Sequence, residues 1–185
     1  MGRWEADAQG RLRQAALELF TQRGFEQTTV ADIAERAGVT ERTFFRYFAD
    51  KREVLFDGSS ALQKAVVEAI AASGTSRPPL ATVVAAVASA GPIFEERREF
   101  SRLRAAAIAA DTSLMERELL KLATLATAAA EALRATGVPE PAASLAAQSG
   151  ITVFRVGFER WIADDSGGSL AQHLHDALAE LKALS

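Results

Sequence analysis

The 185 residues include no cysteine, which excludes a disulfide framework, a thiolate nucleophile and any cysteine-based zinc site. Histidine is scarce too. His173 and His175 are the only two, and residues two apart on a helix sit about 200° around its axis, so this pair cannot share a metal there. A surface or interface role is expected for both. No glycine-rich loop suited to cradling phosphate occurs, and the acids stand singly or beside basic residues. No nucleophile, base and acid come together in the sequence, so no enzymatic activity is expected.

Long hydrophobic runs are missing as well. The longest uncharged stretch, Pro78 to Phe94, has 17 residues and is interrupted by Gly91 and Pro92, short of the roughly 20 apolar residues that span a bilayer. The opening MGRWEADAQGRLRQ has no apolar core of a secretory signal. These absences lead to an expectation of a soluble protein of the reducing cytoplasm, with no membrane partner, metal or cofactor. An excess of positive charge is also lacking. The net charge of −3 speaks weakly against a nucleic-acid partner, because phosphate neutralisation supplies much of such affinity. Its distribution softens the objection, since residues 1–52 carry +1 and residues 53–185 carry −4.

What the sequence has in quantity is alanine and apolar residues, 49% hydrophobic in all, with β-branched residues too scattered for period-2 runs. An all-α fold is therefore expected. Leu12, Ala15, Ala16, Leu19 and Phe20 form an amphipathic stripe over residues 8–23, ended by Gly24. Thr29 and Asp32 read as a capping box opening a second helix, with Val30, Ile33, Ala34 and Ala37 on its buried face. Gly38 stops it after about two turns. Thr40 is placed to cap a third short helix, with Phe44, Tyr47 and Phe48 inward and Glu41, Arg42, Thr43, Phe45 and Arg46 outward. Asp50 and Glu53 make another cap pair, and Val54, Leu55, Leu62, Ala65, Val66, Ala69 and Ile70 predict a long fourth helix over 51–73. Residues 73–79 are the clearest break. Further helices are expected near 80–90, 93–109, 113–136, 141–163 and 168–184, for about nine in all.

Two short helices meeting at a glycine and followed by a polar helix start fit helix-turn-helix geometry. The groove-facing set is then Thr40, Arg42, Thr43 and Arg46. Hydroxyls and backbone N–H groups at a helix start suit phosphate oxygens, and arginine holds guanine O6 and N7 bidentately. Spacing alone is equally compatible with an ordinary helical hairpin bearing a solvated charged face.

Thr28 to Leu55, TTVADIAERAGVTERTFFRYFADKREVL, resembles the N-terminal signature of the tetracycline-repressor (TetR) family. The resemblance covers Leu12 to about Leu55, including Gly24-Phe25, Ala37-Gly38-Val39-Thr40 and Phe44 to Phe48 followed by Lys51. It implies an N-terminal three-helix DNA-binding domain over 1–52, and a C-terminal helical bundle for ligand binding and dimerisation over 53–185. It implies a homodimeric repressor, released from a palindromic operator in double-stranded DNA by a small apolar or amphipathic inducer. By the same resemblance Thr28, Thr40, Thr43, Phe45, Tyr47 and Lys51 approach DNA, while Arg42 and Arg46 read bases. Two departures stand out. The family's frequent tyrosine is Phe45 here and the following histidine is Tyr47. Arg42 stands where many relatives have a small residue, which implies a different operator. An alternative reading is a helical protein that binds DNA, or a protein partner, without any ligand.

The C-terminal part offers Phe94, Phe100, Leu103, Ile108, Phe154, Phe158 and Trp161 as lining for an apolar cavity, although each taken singly suits plain core better. Arg102, Arg104, Arg155, Glu159 and Arg160 are possible polar anchors or solvated ion pairs. Leu145, Thr152, Val156, Leu170, Leu174, Leu178 and Leu181 form stripes along the last two helices, which predicts a four-helix dimer interface. The long fourth helix is the expected lever between ligand and DNA.

Overall fold

A computed structural model describes residues 8–74 and 77–184. Two residues of the expected break, 75 and 76, lie outside it. Among the described residues there are ten α-helices, one 3₁₀ turn and no strand. In chain order the helices are α1 (Ala8–Arg23), α2 (Val30–Arg36), α3 (Glu41–Tyr47), α4 (Ser59–Ala72) and α5 (Pro79–Ala88). Then come α6 (Gly91–Glu95), α7 (Arg98–Ala109), α8 (Thr112–Ala135), α9 (Ala142–Ala163) and α10 (Leu170–Ala183). Among the described residues no helix is long and apolar enough to cross a membrane.

The chain divides into two compact units. One runs up to Gly58 and takes in Leu103–Glu118, and the other holds Ser59–Arg102 and everything from Leu119 onward. In the first unit α1 buries the expected stripe of Leu12, Ala15, Ala16, Leu19 and Phe20. The predicted helix over 51–73 does not run through. Its first part is a 3₁₀ turn, Arg52–Leu55, and α4 starts only at Ser59. Tertiary contacts override the helical periodicity here. Val54, Leu55 and Phe56 are all buried, and the carboxylate of Asp57 is held by Gln9 Nε2 at 2.8 Å and by Arg13 at 3.3 Å. Asp50 does cap the turn, accepting the N–H groups of Arg52 and Glu53 through one oxygen. The N-terminal unit therefore continues past residue 52, and it recruits a helix corner from much later in the chain. That corner is fastened by arginines: Arg104 donates to the Leu55 carbonyl at 2.7 Å and pairs with Glu118 at 2.8 Å, and Arg117 pairs with Glu53. Arg104 thus serves this clasp rather than the apolar cavity for which its sequence position made it a candidate anchor.

The second unit is built on α9. Its buried face carries Ala143, Ala147, Ile151, Phe154 and Trp161, and it packs on α5 and α10. Two glycines set how close these helices come. A Cβ on Gly150 would lie 2.5 Å from Val83 Cγ1, and one on Gly157 would lie 2.7 Å from Leu174 Cδ2 and 3.1 Å from both Leu174 Cα and the His173 carbonyl oxygen. This proximity consumes part of the expected dimer stripe. Leu170, Leu174 and Leu178 are buried within their own chain, whereas Leu145 is 63% exposed and Thr152 is exposed too. The predicted helix over 93–109 is also split. Glu95 accepts the Leu170 N–H at 3.0 Å, and Arg98 lies over the Trp161 ring and donates to the carbonyls of Trp161 and Asp164. These ties aim the two short helices separately.

Overpacking a close helix crossing costs about 1–3 kcal/mol. Gly157→Val is expected to lower stability by that amount in urea unfolding. Gly58→Ala, with nothing within 4 Å of the added methyl, should stay within about 0.5 kcal/mol of wild type. Equal midpoints for the two variants would contradict the close α9–α10 crossing.

Candidate nucleic-acid interface

The interface is built from two seven-residue helices, too short to persist alone in water, so caps and buried side chains must hold them. At α2 both halves of the capping box are made. Thr29 accepts the Asp32 N–H at 3.1 Å, and Asp32 accepts the Thr29 N–H at 2.8 Å. Hydrogen bonds from Thr29, aided by Arg23, hold the Asp32 carboxyl below its ordinary value of 3.8. Because the folded value is the lower one, the box contributes stability above the unfolded carboxylate's range and is lost as pH falls through the folded value.

Gly38 links the helices at φ +69°, a left-handed conformation that favours glycine. Thr40 then caps α3 by accepting the Thr43 N–H at 3.2 Å, with the two hydroxyls 3.1 Å apart. Phe44 is completely buried and Phe48 nearly so, their rings 5.2 Å apart. With these two on one side, Thr40, Arg42, Phe45 and Arg46 are exposed on the other, and Thr43 and Tyr47 are half-buried. Among the described residues Arg42 has no hydrogen-bond or ion-pair partner, so its guanidinium is available in full. Arg46 lies over the Tyr47 ring at 4.9 Å and donates to its hydroxyl at 3.0 Å. Phe45, at 55% exposure, offers an apolar edge of the kind that meets a thymine methyl. The face therefore combines cationic donors, hydroxyls and one aromatic ring on a helix narrow enough for a major groove.

Two of the eight residues named from the sequence are placed otherwise. Thr28 is fully buried, donating its hydroxyl to the Gly24 carbonyl at 2.9 Å. Lys51 donates to the carbonyls of Phe25 and Thr28, both at 2.8 Å, and its ammonium sits 3.9 Å from the Phe25 ring centre. Together they fix the α1–α2 loop from inside. Sequence position identified them as important; only the fold shows that they act on the chain's own backbone. Arg11, whose Nε donates to the Ala37 carbonyl at 3.0 Å, went unmarked, and a lone arginine on a polar helix face gives no signal that could have found it.

The residues expected to line a ligand cavity are also placed by the structure. Phe94, Phe154, Phe158 and Trp161 form one ring cluster with centroid separations of 5.5–6.1 Å. They fill the space that they were expected to enclose. Phe100 and Leu103 are half-buried. Arg102 donates to the Ile162 carbonyl and pairs with Asp165, and Arg160 pairs with Glu180. Open volume lies elsewhere, in a groove of about 470 Å³ between α8 and α9. Of the candidate anchors, Arg155 reaches it.

A capped, glycine-linked pair of short helices with a solvent-facing donor row on the second defines a helix-turn-helix. Residues 12–57 match the family model for bacterial regulatory proteins, tetR family. The HTH-type transcriptional regulator TcmR of Streptomyces glaucescens is 45% identical over 69 residues, 37% of this chain and 30% of TcmR. The chain therefore matches less than a third of that relative's length. FadR of Thermus thermophilus, a TetR-family transcriptional repressor solved with lauroyl-CoA, is 26% identical, with a TM-score of 0.56 over 92% of this chain and 91% of its own. The transcriptional regulator FadR of Bacillus subtilis, solved with stearoyl-CoA, is 18% identical with a TM-score of 0.54, covering 92% of this chain and 95% of its own. The N-terminal segment thus matches the tetR family model, and the fold over most of the chain is that of these solved regulators.

The two sides of α3 should separate cleanly in stability measurements. Phe44→Ala is expected to cost about 3–5 kcal/mol, the range for a large-to-small core change. Arg42→Ala and Arg46→Ala should stay within about 0.5 kcal/mol. A thermal melt in which either arginine variant is as damaged as Phe44→Ala would place that side chain in the core.

Proposed function

We propose that the chain is a homodimeric transcriptional repressor that reads a palindromic operator with α3 and releases it when a small amphipathic molecule binds the C-terminal unit. The observation that carries this reading is the solvent-facing row of Thr40, Arg42, Thr43, Phe45 and Arg46, set on a helix whose opposite side is anchored by Phe44. Arg42 is the first choice for base reading because its guanidinium is exposed and unengaged. Arg46 must leave Tyr47 to reach DNA. Thr40 and Thr43 suit phosphate, where contacts position the reader without selecting sequence.

A helix of seven residues contacts too few base pairs to find one operator alone, so a second copy is required. The outer face of α9, with Leu145, Thr152 and Val156, and the half-buried Leu181 of α10 supply the apolar surface for a two-fold interface. A two-fold dimer of such readers matches half-sites about 34 Å apart. A ligand shifts this arrangement only by its differential affinity for the bound and released forms. Relatives of the same fold were solved with acyl-CoA molecules, which supports an amphipathic ligand here. With the fourth helix interrupted, α8 is the better lever: it is one continuous helix whose first residues are clasped in the reader unit through Arg117 and Glu118.

Arg42→Ala and Arg46→Ala are each expected to weaken specific operator binding by about 1–3 kcal/mol per contact, measured against random DNA at the same salt. Equal loss on specific and random DNA would assign the residue to phosphate. No loss on either would remove it from the interface. Light scattering at micromolar concentration should give a dimer mass for wild type and a monomer mass for Leu145→Arg combined with Thr152→Arg. A dimer surviving both substitutions would move the interface off α9.

A further inference from the structure

The α8–α9 groove is long, apolar along its floor and has an arginine at each end. Its lining on α8 recurs from Leu119 through Leu122, Ala126 and Ala130 to Arg134, spacings of three and four that keep one helix face. At 1.5 Å per residue this face runs about 22 Å. Ala126, Ala130 and Ile151 are buried beneath it, and the small alanines leave the width. The two threonine hydroxyls on its walls are turned back on their own helices: Thr127 donates to the Ala123 carbonyl at 3.1 Å and Thr152 to the Gln148 carbonyl at 3.0 Å. Two arginines and no carboxylate line the groove among the described residues.

The two ends differ. Arg134 is bonded to Glu140 at 2.5 Å, and Glu140 in turn accepts the Ser144 hydroxyl at 2.9 Å, so that cation is neutralised and held in a network. Arg155, 13 residues into α9 and thus at the opposite end, has Glu159 one turn away at 3.2 Å as its partner. Both members of that pair are half-exposed or more, and such pairs hold their geometry weakly. Beside it Leu119 leaves 56% of its surface exposed. The two-fold interface proposed on Leu145, Thr152 and Val156 meets the groove only along its Thr152 wall, and a second copy laid over the floor itself would bring its own Arg134 and Arg155 against these two.

We propose that this groove binds a straight-chain amphiphile with an anionic head group, the head at Arg155 and the chain along Leu122, Ala126 and Ile151 toward Arg134. The volume of about 470 Å³ lies in the range of small-molecule sites. The proposal rests on the reading of the C-terminal unit as a ligand sensor and supplies its site and ligand class.

Calorimetric titration of the full-length protein with sodium laurate below its micelle concentration, with lauroyl-CoA and with dodecanol is the test. Wild type should bind laurate or lauroyl-CoA at one per chain. Binding of both identifies the head as a carboxylate-sized anion, and binding of lauroyl-CoA alone identifies the phosphates of the carrier. Thr127→Trp, which fills the groove from an exposed wall position, should abolish binding. Arg155→Glu should weaken it at least tenfold while leaving any dodecanol binding unchanged. Light scattering and a thermal melt establish that both variants remain folded and in the wild-type assembly. The proposal falls if wild type binds neither anion, if both variants bind as wild type does, or if dodecanol binds as tightly as laurate and Arg155→Glu changes nothing. Operator release read in parallel separates the two levels. Release that persists in Thr127→Trp overturns the groove and leaves the sensor reading standing. Groove binding that releases no operator supports the groove and removes the sensor reading.

Discussion

Everything proposed for the N-terminal unit depends on the burial of Phe44. A seven-residue helix has too few internal hydrogen bonds to offset its nucleation cost, so α3 exists because one aromatic ring is wholly removed from water against α1 and α2. That anchor also sets rotation about the helix axis. With Phe44 and Phe48 pointing in, Arg42 and Arg46 must point out. The Thr29–Asp32 box and the Thr40 cap fix where each helix starts, and Gly38 sets the angle between them. Lys51 and Thr28 tie the preceding loop from beneath. The exposed donor row results from these internal constraints.

Most of this was legible in the sequence because it is local. A capping box spans four residues, an N-cap reaches three residues ahead, and Phe44 and Phe48 point inward one turn apart, whereas Tyr47, expected inward with them, is only half-buried. What escaped is long-range. The apolar spacing of Val54, Leu55, Leu62 and Val66 supports one uninterrupted helix, and only Gln9 and Arg13, more than 40 positions earlier, reveal that Asp57 is held in a turn. Likewise nothing near residue 52 signals that 103–118 will join the same unit. Leucine spacing along 170–181 suits either an interface or an internal crossing, and Gly157 of α9 decides for the latter at Leu174.

The C-terminal unit shows the same limit. Aromatic residues are the natural candidates for a cavity, yet four of them pack ring against ring and close the space. The groove instead follows Ala123, Ala126, Thr127 and Ala130 on α8, residues that read as plain helix in a sequence so rich in alanine. A groove formed by the absence of bulk carries little sequence signal.

The central claim is that two copies of the α3 face read DNA as a pair. Selection from random double-stranded DNA by the purified protein, followed by sequencing, tests it most directly. An inverted repeat whose half-sites lie about one helical turn apart should be enriched, bound by two chains. Enrichment of a single unrepeated site, or of no sequence at all under conditions where the protein is folded, would contradict it.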